Sequence, residues 1–174
     1  AKKPSSIKLK KTSLTLKRGS TAKLSYSFSP SNSYATVKWS SSSKAVTVKS
    51  DGTIAAKAIG RAKITARTSN GKKASCTVKV TAPDAKSIKL KTTSATVGIG
   101  KTLKLSYSLS PSDASGKVKW STSNKKVAIV NSKGQVTAKA SGTATITGKI
   151  SSKVSAKCKI TVPEPVNGIV LTNT

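Results

Sequence analysis

Four carboxylates, two thiols, two tryptophans and 33 cationic side chains are what this chain offers for chemistry. Histidine is absent, which removes the commonest general base and a frequent metal ligand. The acids Asp51, Asp84, Asp113 and Glu164 stand far apart, in stretches rich in turn residues or proline. Paired-carboxylate catalysis needs two such groups to converge, and a calcium site needs several oxygen ligands. No Asp-x-Asp cluster occurs, and Asp51-Gly52 reads as a turn. Serine and lysine are plentiful, but nothing marks out a Ser–Lys dyad. A self-made Lys–Asn isopeptide bond requires a buried acid beside it, and these acids read as exposed. The expectation is a non-enzyme with no cofactor and no metal.

Cys76 and Cys158 fall in matching positions, each followed by alternate apolar residues: Val78 and Val80, Ile160 and Val162. Alternation points both thiols into a core, as small buried hydrophobes. A disulfide between them would need their Cα atoms within about 7 Å, which end-to-end domains do not provide. Trp39 and Trp120 each close a Val-Lys-Trp triplet, and sharing a face with valine points them to the core rather than to a carbohydrate platform. Tyr34 sits in a polar loop, with Ser115 at the matching place. One exposed tyrosine makes a poor sugar platform.

The elements that hold these residues come from a repeat. Ile7 and Ile88, Tyr26 and Tyr107, Pro30 and Pro111, and Trp39 and Trp120 are each 81 residues apart. After one inserted residue the offset is 82, as for Gly52 and Gly134 or Cys76 and Cys158. A third start, GIVLTNT, places Ile169 and Leu171 another 81 residues on. The expected division is one domain over residues 1–81, a second over 82–163, and a linker with the first strand of a truncated third repeat over 164–174. The chain therefore reads as a fragment of a longer array, and its opening, Ala1-Lys2-Lys3-Pro4, shows no signal peptide. No apolar run approaches the 18 or so residues of a membrane span.

Within each unit the period is two. SIKLK, LTLKRG, CTVKV and their counterparts alternate apolar residues with Lys, Ser or Thr, the mark of strands with one wet face. Turn residues separate them, and Gly52 and Gly134 supply a positive φ where the chain reverses. About seven short strands in roughly 80 residues, without a helical stripe, predict an all-β sandwich in each unit. The proline-bearing links TAPDAK and VPEPV predict a semi-rigid rod.

The stretch VKWSTSNKKVAIVNSKGQVTAKASGTATITGKI, residues 118–150, resembles the bacterial immunoglobulin-like domain, group 2. The resemblance lies in its Val-x-Trp strand, Ser-Asn turn, Gly-x-Val-Thr-Ala segment and Gly-Thr-Ala-Thr-Ile-Thr strand. Residues 37–65 are similar but looser, with Arg61 and Lys63 where the later unit has Thr143 and Thr145. The resemblance implies tandem immunoglobulin-like sandwiches from a bacterial surface or cell-wall protein, as in intimin- and invasin-type adhesins. It carries no shared catalytic motif.

Charge is the outlier. Thirty lysines and three arginines face four acids, for a net charge of +29. Residues 1–81 hold 18 basic and 1 acidic residue, and residues 82–163 hold 15 and 2. In SIKLK the apolar residues face inward, so the lysines face water about 6–7 Å apart, within the Debye length of about 8 Å at physiological salt. GIVLTNT keeps the apolar frame without the lysines, so the fold does not demand them. Lys8, Lys10, Lys38, Lys89, Lys91 and Lys119 are the candidate polyanion-binding residues. The expected partners are anionic polymers, namely cell-wall teichoic acid, glycosaminoglycan or mucin glycans, together with other domains of the parent chain. Lysine predominance and scarce aromatics leave nucleic acid only non-specific binding. The alternative to a charged spacer is a dedicated adhesin module for a glycan or host polyanion.

Overall fold

A computed structural model describes residues 2–165 and divides the chain into two compact units between Pro83 and Asp84. The proposed third start, residues 168–174, lies outside the described residues.

In the first unit, alternation builds nine short strands. They are β1 (Ser6–Leu9), β2 (Ser13–Lys17), β3 (Thr21–Lys23), β4 (Tyr26–Ser29), β5 (Val37–Ser41), β6 (Val46–Val48), β7 (Thr53–Ala56), β8 (Gly60–Thr68) and β9 (Lys73–Thr81). One layer is the sheet β2-β9-β8-β5; the other holds the pair β1-β4 and the sheet β3-β7-β6. Between them lies a core of Ile7, Leu9, Leu24, Val46, Ile54, Ile64, Cys76 and Val78, all buried. Val, Ile, Leu and Ala fill it, as expected where aromatics make up only 3% of the chain.

The second unit repeats the plan with β10 (Ser87–Leu90), β11 (Ser94–Thr96), β12 (Thr102–Lys104), β13 (Tyr107–Ser110), β14 (Lys119–Thr122), β15 (Ala128–Val130), β16 (Gln135–Ala138), β17 (Gly142–Ser151) and β18 (Val154–Val162). Its sheets are β11-β18-β17-β14, β10-β13 and β12-β16-β15. Leu105, Val136, Ile146, Cys158 and Ile160 centre its own buried cluster.

Each unit has nine described strands rather than about seven, because two alternating stretches each hold two strands: residues 22–30 divide into β3 and β4, and residues 45–56 into β6 and β7. β3 pairs with β7 and β4 with β1, the ladder breaking at Leu24-Ser25 where the partner changes. β6 and β7 pair with each other about the turn at Gly52. β1 pairs antiparallel with β4 and β2 parallel with β9, so the chain passes from one layer to the other between them. Both units also carry a cis Ser–Pro bond, at Pro30 and Pro111. Among the described residues no helix is long and apolar enough to cross a membrane.

Candidate functional site

The outward residues of β1 and β10 are Ser and Lys, alternating with buried Ile7, Leu9, Ile88 and Leu90. Lys8 and Lys89 lie on those strands, exposed and opposite Ser27 and Ser108. Lys10 and Lys91 follow directly after the strands, also exposed, and their backbone N–H groups donate to Ser25 and Ser106. Lys38 and Lys119 occupy β5 and β14 in the other layer, exposed as well. In each unit the candidates are therefore divided between two sheets.

Strand pairing supplies cations that sequence reasoning missed. Lys38 stands opposite Arg67 on β8, and Arg67 stands opposite Lys73 on β9. In the second unit Lys119 faces Lys149, which faces Ser155. The β8–β9 register is pinned by its turn. Buried Thr68 donates its hydroxyl to Asn70 Oδ1 at 2.7 Å and accepts from Lys72 N–H at 2.8 Å, while Asn70 Nδ2 donates to the Pro4 carbonyl at 2.8 Å. The Thr-Ser-Asn-Gly signature gave notice of a hairpin, and counting back from it would have paired Arg67 with Lys73. The groove at this end, about 380 Å³, is lined by Thr36, Lys38, Arg67, Thr68 and Ser69.

The tryptophans are half-buried, packed against the core rather than within it. Each indole covers the glycine of a turn, so that a Cβ on Gly52 or Gly134 would stand 2.9 or 2.8 Å from a ring carbon. Tyr26 and Tyr107 lean on the same rings, with centroids 6.1 Å away. The β5 and β14 strands lie at a sheet edge, where a large ring outgrows the cover above it. Tyr34 is 69% exposed.

Cys76 and Cys158 are free thiols with no exposed surface, and burial pushes both above the usual thiol value. Asp51 accepts from the Thr53 N–H at 3.0 Å and its hydroxyl at 2.8 Å. Those bonds, with Lys23 at 3.5 Å, hold its carboxyl below the usual carboxylate value. No group of three or more His, Cys, Asp or Glu side chains able to hold a metal occurs among the described residues.

The family described as bacterial Ig-like domain (group 2) matches the chain twice, over residues 5–78 and 84–162. A lacto-N-biosidase of Bifidobacterium bifidum is 49% identical over 69 residues, or 39% of this chain and 6% of that protein. A minor capsid protein of enterobacteria phage T3 is 40% identical over 79 residues, 45% of this chain and 18% of its own. The matched segment is thus a small part of either relative. Extracellular cadherin domains 3–6 of protocadherin gamma B2 are similar in fold, with a TM-score of 0.56 at 15% identity, covering 93% of this chain and 52% of that one.

Proposed function

The chain belongs to the bacterial Ig-like domain (group 2) family, and from that membership we propose that it is a non-catalytic structural and adhesive segment of a bacterial surface or secreted protein. In that role it displays other domains of its parent chain and holds anionic polymers through many weak lysine contacts. The display role is supported by both curated relatives, in which the matched stretch is only 6% and 18% of a longer protein.

The observation that carries the polyanion reading is the outward face of the strands. Apolar residues of β1 and β10 are buried, while every intervening lysine is exposed, in a chain with 33 basic and 4 acidic residues. A surface serving solubility alone would mix both signs. This excess instead creates a field that draws polyanions in.

The test is binding of the chain to teichoic acid, heparin, mucin glycans and duplex DNA at about 50 and 200 mM salt. Counterion release predicts capture of each at the lower salt and a loss on the order of a hundredfold or more at the higher, where many contacts are made. Failure to bind any of them at the lower salt would sink the reading. A second reading, a dedicated module for a glycan or host polyanion, is favoured by the row Lys38–Arg67–Lys73, which gathers charge in one place.

A further inference from the structure

Strand register concentrates part of the charge on the outer face of β2-β9-β8-β5. Lys38, Arg67 and Lys73 stand abreast on three neighbouring strands, about 4.8 Å per strand. Two residues along, the row is Ser40, Thr65 and Ser75. Beyond it come Lys63 beside Thr77, then Arg61 beside Lys79. The interval from Arg61 to Arg67 spans about 20 Å at about 3.3–3.4 Å per residue. Every cation in these rows is exposed, and no acidic residue occurs in the four strands. The alternate residues Ala62, Ile64, Ala66, Cys76 and Val78 are buried, so the cationic set is committed to solvent.

Like charges directly opposite one another weaken a sheet, and the fold does not require them. At the equivalent positions the second unit has Thr143, Thr145, Ser155 and Thr161 in place of Arg61, Lys63, Lys73 and Lys79, and Lys149 in place of Arg67. Its outer face keeps Lys119 and Lys149 and adds Lys157 and Lys159. It has neither an arginine nor three cations abreast. A charge suited merely to the surroundings would fall alike on both units.

We propose that this face of the first unit binds one acidic polysaccharide chain lying along β8 and β9. The cationic rows at its two ends take the polymer's sulfate or carboxylate groups, and the serine–threonine row between them bonds the sugar hydroxyls. Arg61 and Arg67 present planar forks that grip an oxyanion through two parallel hydrogen bonds, which lysine cannot do. Single-stranded nucleic acid fits the face poorly, because base stacking needs aromatic rings and the tryptophan of β5 is turned toward the core. The proposal rests on the polyanion reading and narrows it to one face and one polymer class.

The experiment gives the whole chain the second unit's residues at this face: Arg61→Thr, Lys63→Thr, Arg67→Lys, Lys73→Ser and Lys79→Thr. A control removes four charges from exposed positions outside the strands: Lys44→Ser, Lys57→Ser, Lys125→Ser and Lys139→Ser. A milder pair, Arg67→Lys with Lys73→Ser, covers any folding defect, and circular dichroism checks all three. Binding to heparin and to polyphosphate, which has charge but no sugar, is measured at about 50 and 200 mM salt. The expected result is a loss of about tenfold or more in heparin affinity at 200 mM for the face variant and about threefold or less for the control. Wild type should hold heparin more tightly than polyphosphate at that salt. Equal losses in the two variants overturn the proposal while leaving diffuse polyanion binding in place. Tighter binding of polyphosphate than heparin overturns the polysaccharide assignment. No binding of either polymer by wild type at 50 mM brings down both readings.

Discussion

A methyl group on Gly52 would stand 2.7 Å from the Leu24 carbonyl oxygen and 2.9 Å from Trp39 Cζ2, at a φ of +82°. Gly52→Ala should therefore cost about 1–2 kcal/mol for the left-handed backbone alone, with the indole and carbonyl contacts adding to it. Gly134→Ala should behave alike, since its Cβ would meet Trp120 Cζ2 at 2.8 Å with φ at +76°. Urea unfolding checks both, and a loss under about 0.5 kcal/mol would mean that the turn leaves the left-handed region and the indole moves aside with it. The turn at Gly52 also makes the first unit sensitive to acid. Asp51 has a folded pKa below its ordinary value of 3.8, owing first to the Thr53 N–H, then to its hydroxyl, and lastly to Lys23. A lowered folded value means that the stabilisation is whole above the unfolded pKa and is lost as pH falls through the folded one. The first unit should hold a constant thermal midpoint from neutral pH down to about pH 5 and lose stability below about pH 4. Asp51→Asn should abolish that component. In the second unit the uncharged Asn131 Oδ1 accepts from the Lys133 and Gln135 N–H groups, so that turn adds no acid sensitivity. Pulsed labelling of Cys76 and Cys158 during unfolding separates the two units, and equal acid sensitivity would contradict the assignment.

At the scale of elements, β8 shows how a period of two divides labour. Ile64 has no exposed surface, while Thr65 beside it faces outward. Ile64→Ala should cost about 2–5 kcal/mol through lost burial and a cavity, and Thr65→Ala should stay within about 0.5 kcal/mol. Denaturant midpoints decide it; a small loss at Ile64 would show a loosely filled core. The same alternation made much of the fold legible in the sequence, because apolar residues at every second position have one place to go. Both cysteines and the outward lysines were read that way, and the repeat offset carried each assignment from one unit to the other. Less legible was the strand break at Leu24-Ser25, since it depends on which partner each half bonds to. Register was harder still. Arg67, Lys73 and Lys38 are neighbours only after two hairpin pairings, and the candidate list contained Lys38 alone. Single-strand periodicity tells which face a residue takes, and pairing tells what stands next to it. The tryptophans mark the same boundary: alternation gives a side chain its face, and half-burial at an edge strand follows from how many neighbours cover it.

For the whole molecule, 33 cations and 4 acids leave repulsion as the dominant long-range term. The ion pair Lys23–Asp51 joins side chains 64% and 52% exposed, and surface pairs of that kind contribute little. In the second unit the matching residues are Lys104 and Lys133, and the Lys104 ammonium donates instead to the Lys133 carbonyl. Self-repulsion of this size works against the compact state and is screened within about 8 Å at physiological salt. Raising salt from about 20 to 200 mM should therefore raise the thermal midpoint, opposite to a protein held by surface ion pairs. A bound polyanion supplies the same neutralisation locally and, by binding the folded form alone, stabilises in proportion to its occupancy. Heparin should thus raise the midpoint strongly at low salt and barely at high salt, because salt weakens the binding while itself relieving the repulsion. Thermal scans across salt, with and without heparin, read both effects in one series. If the midpoint falls as salt rises, the lysines are paired in the folded protein and are not held open for a partner. If it rises while heparin adds nothing at low salt, the charge strains the fold without serving adhesion. Only convergence of the two curves at high salt fits a scaffold that accepts repulsion in order to hold an anionic polymer.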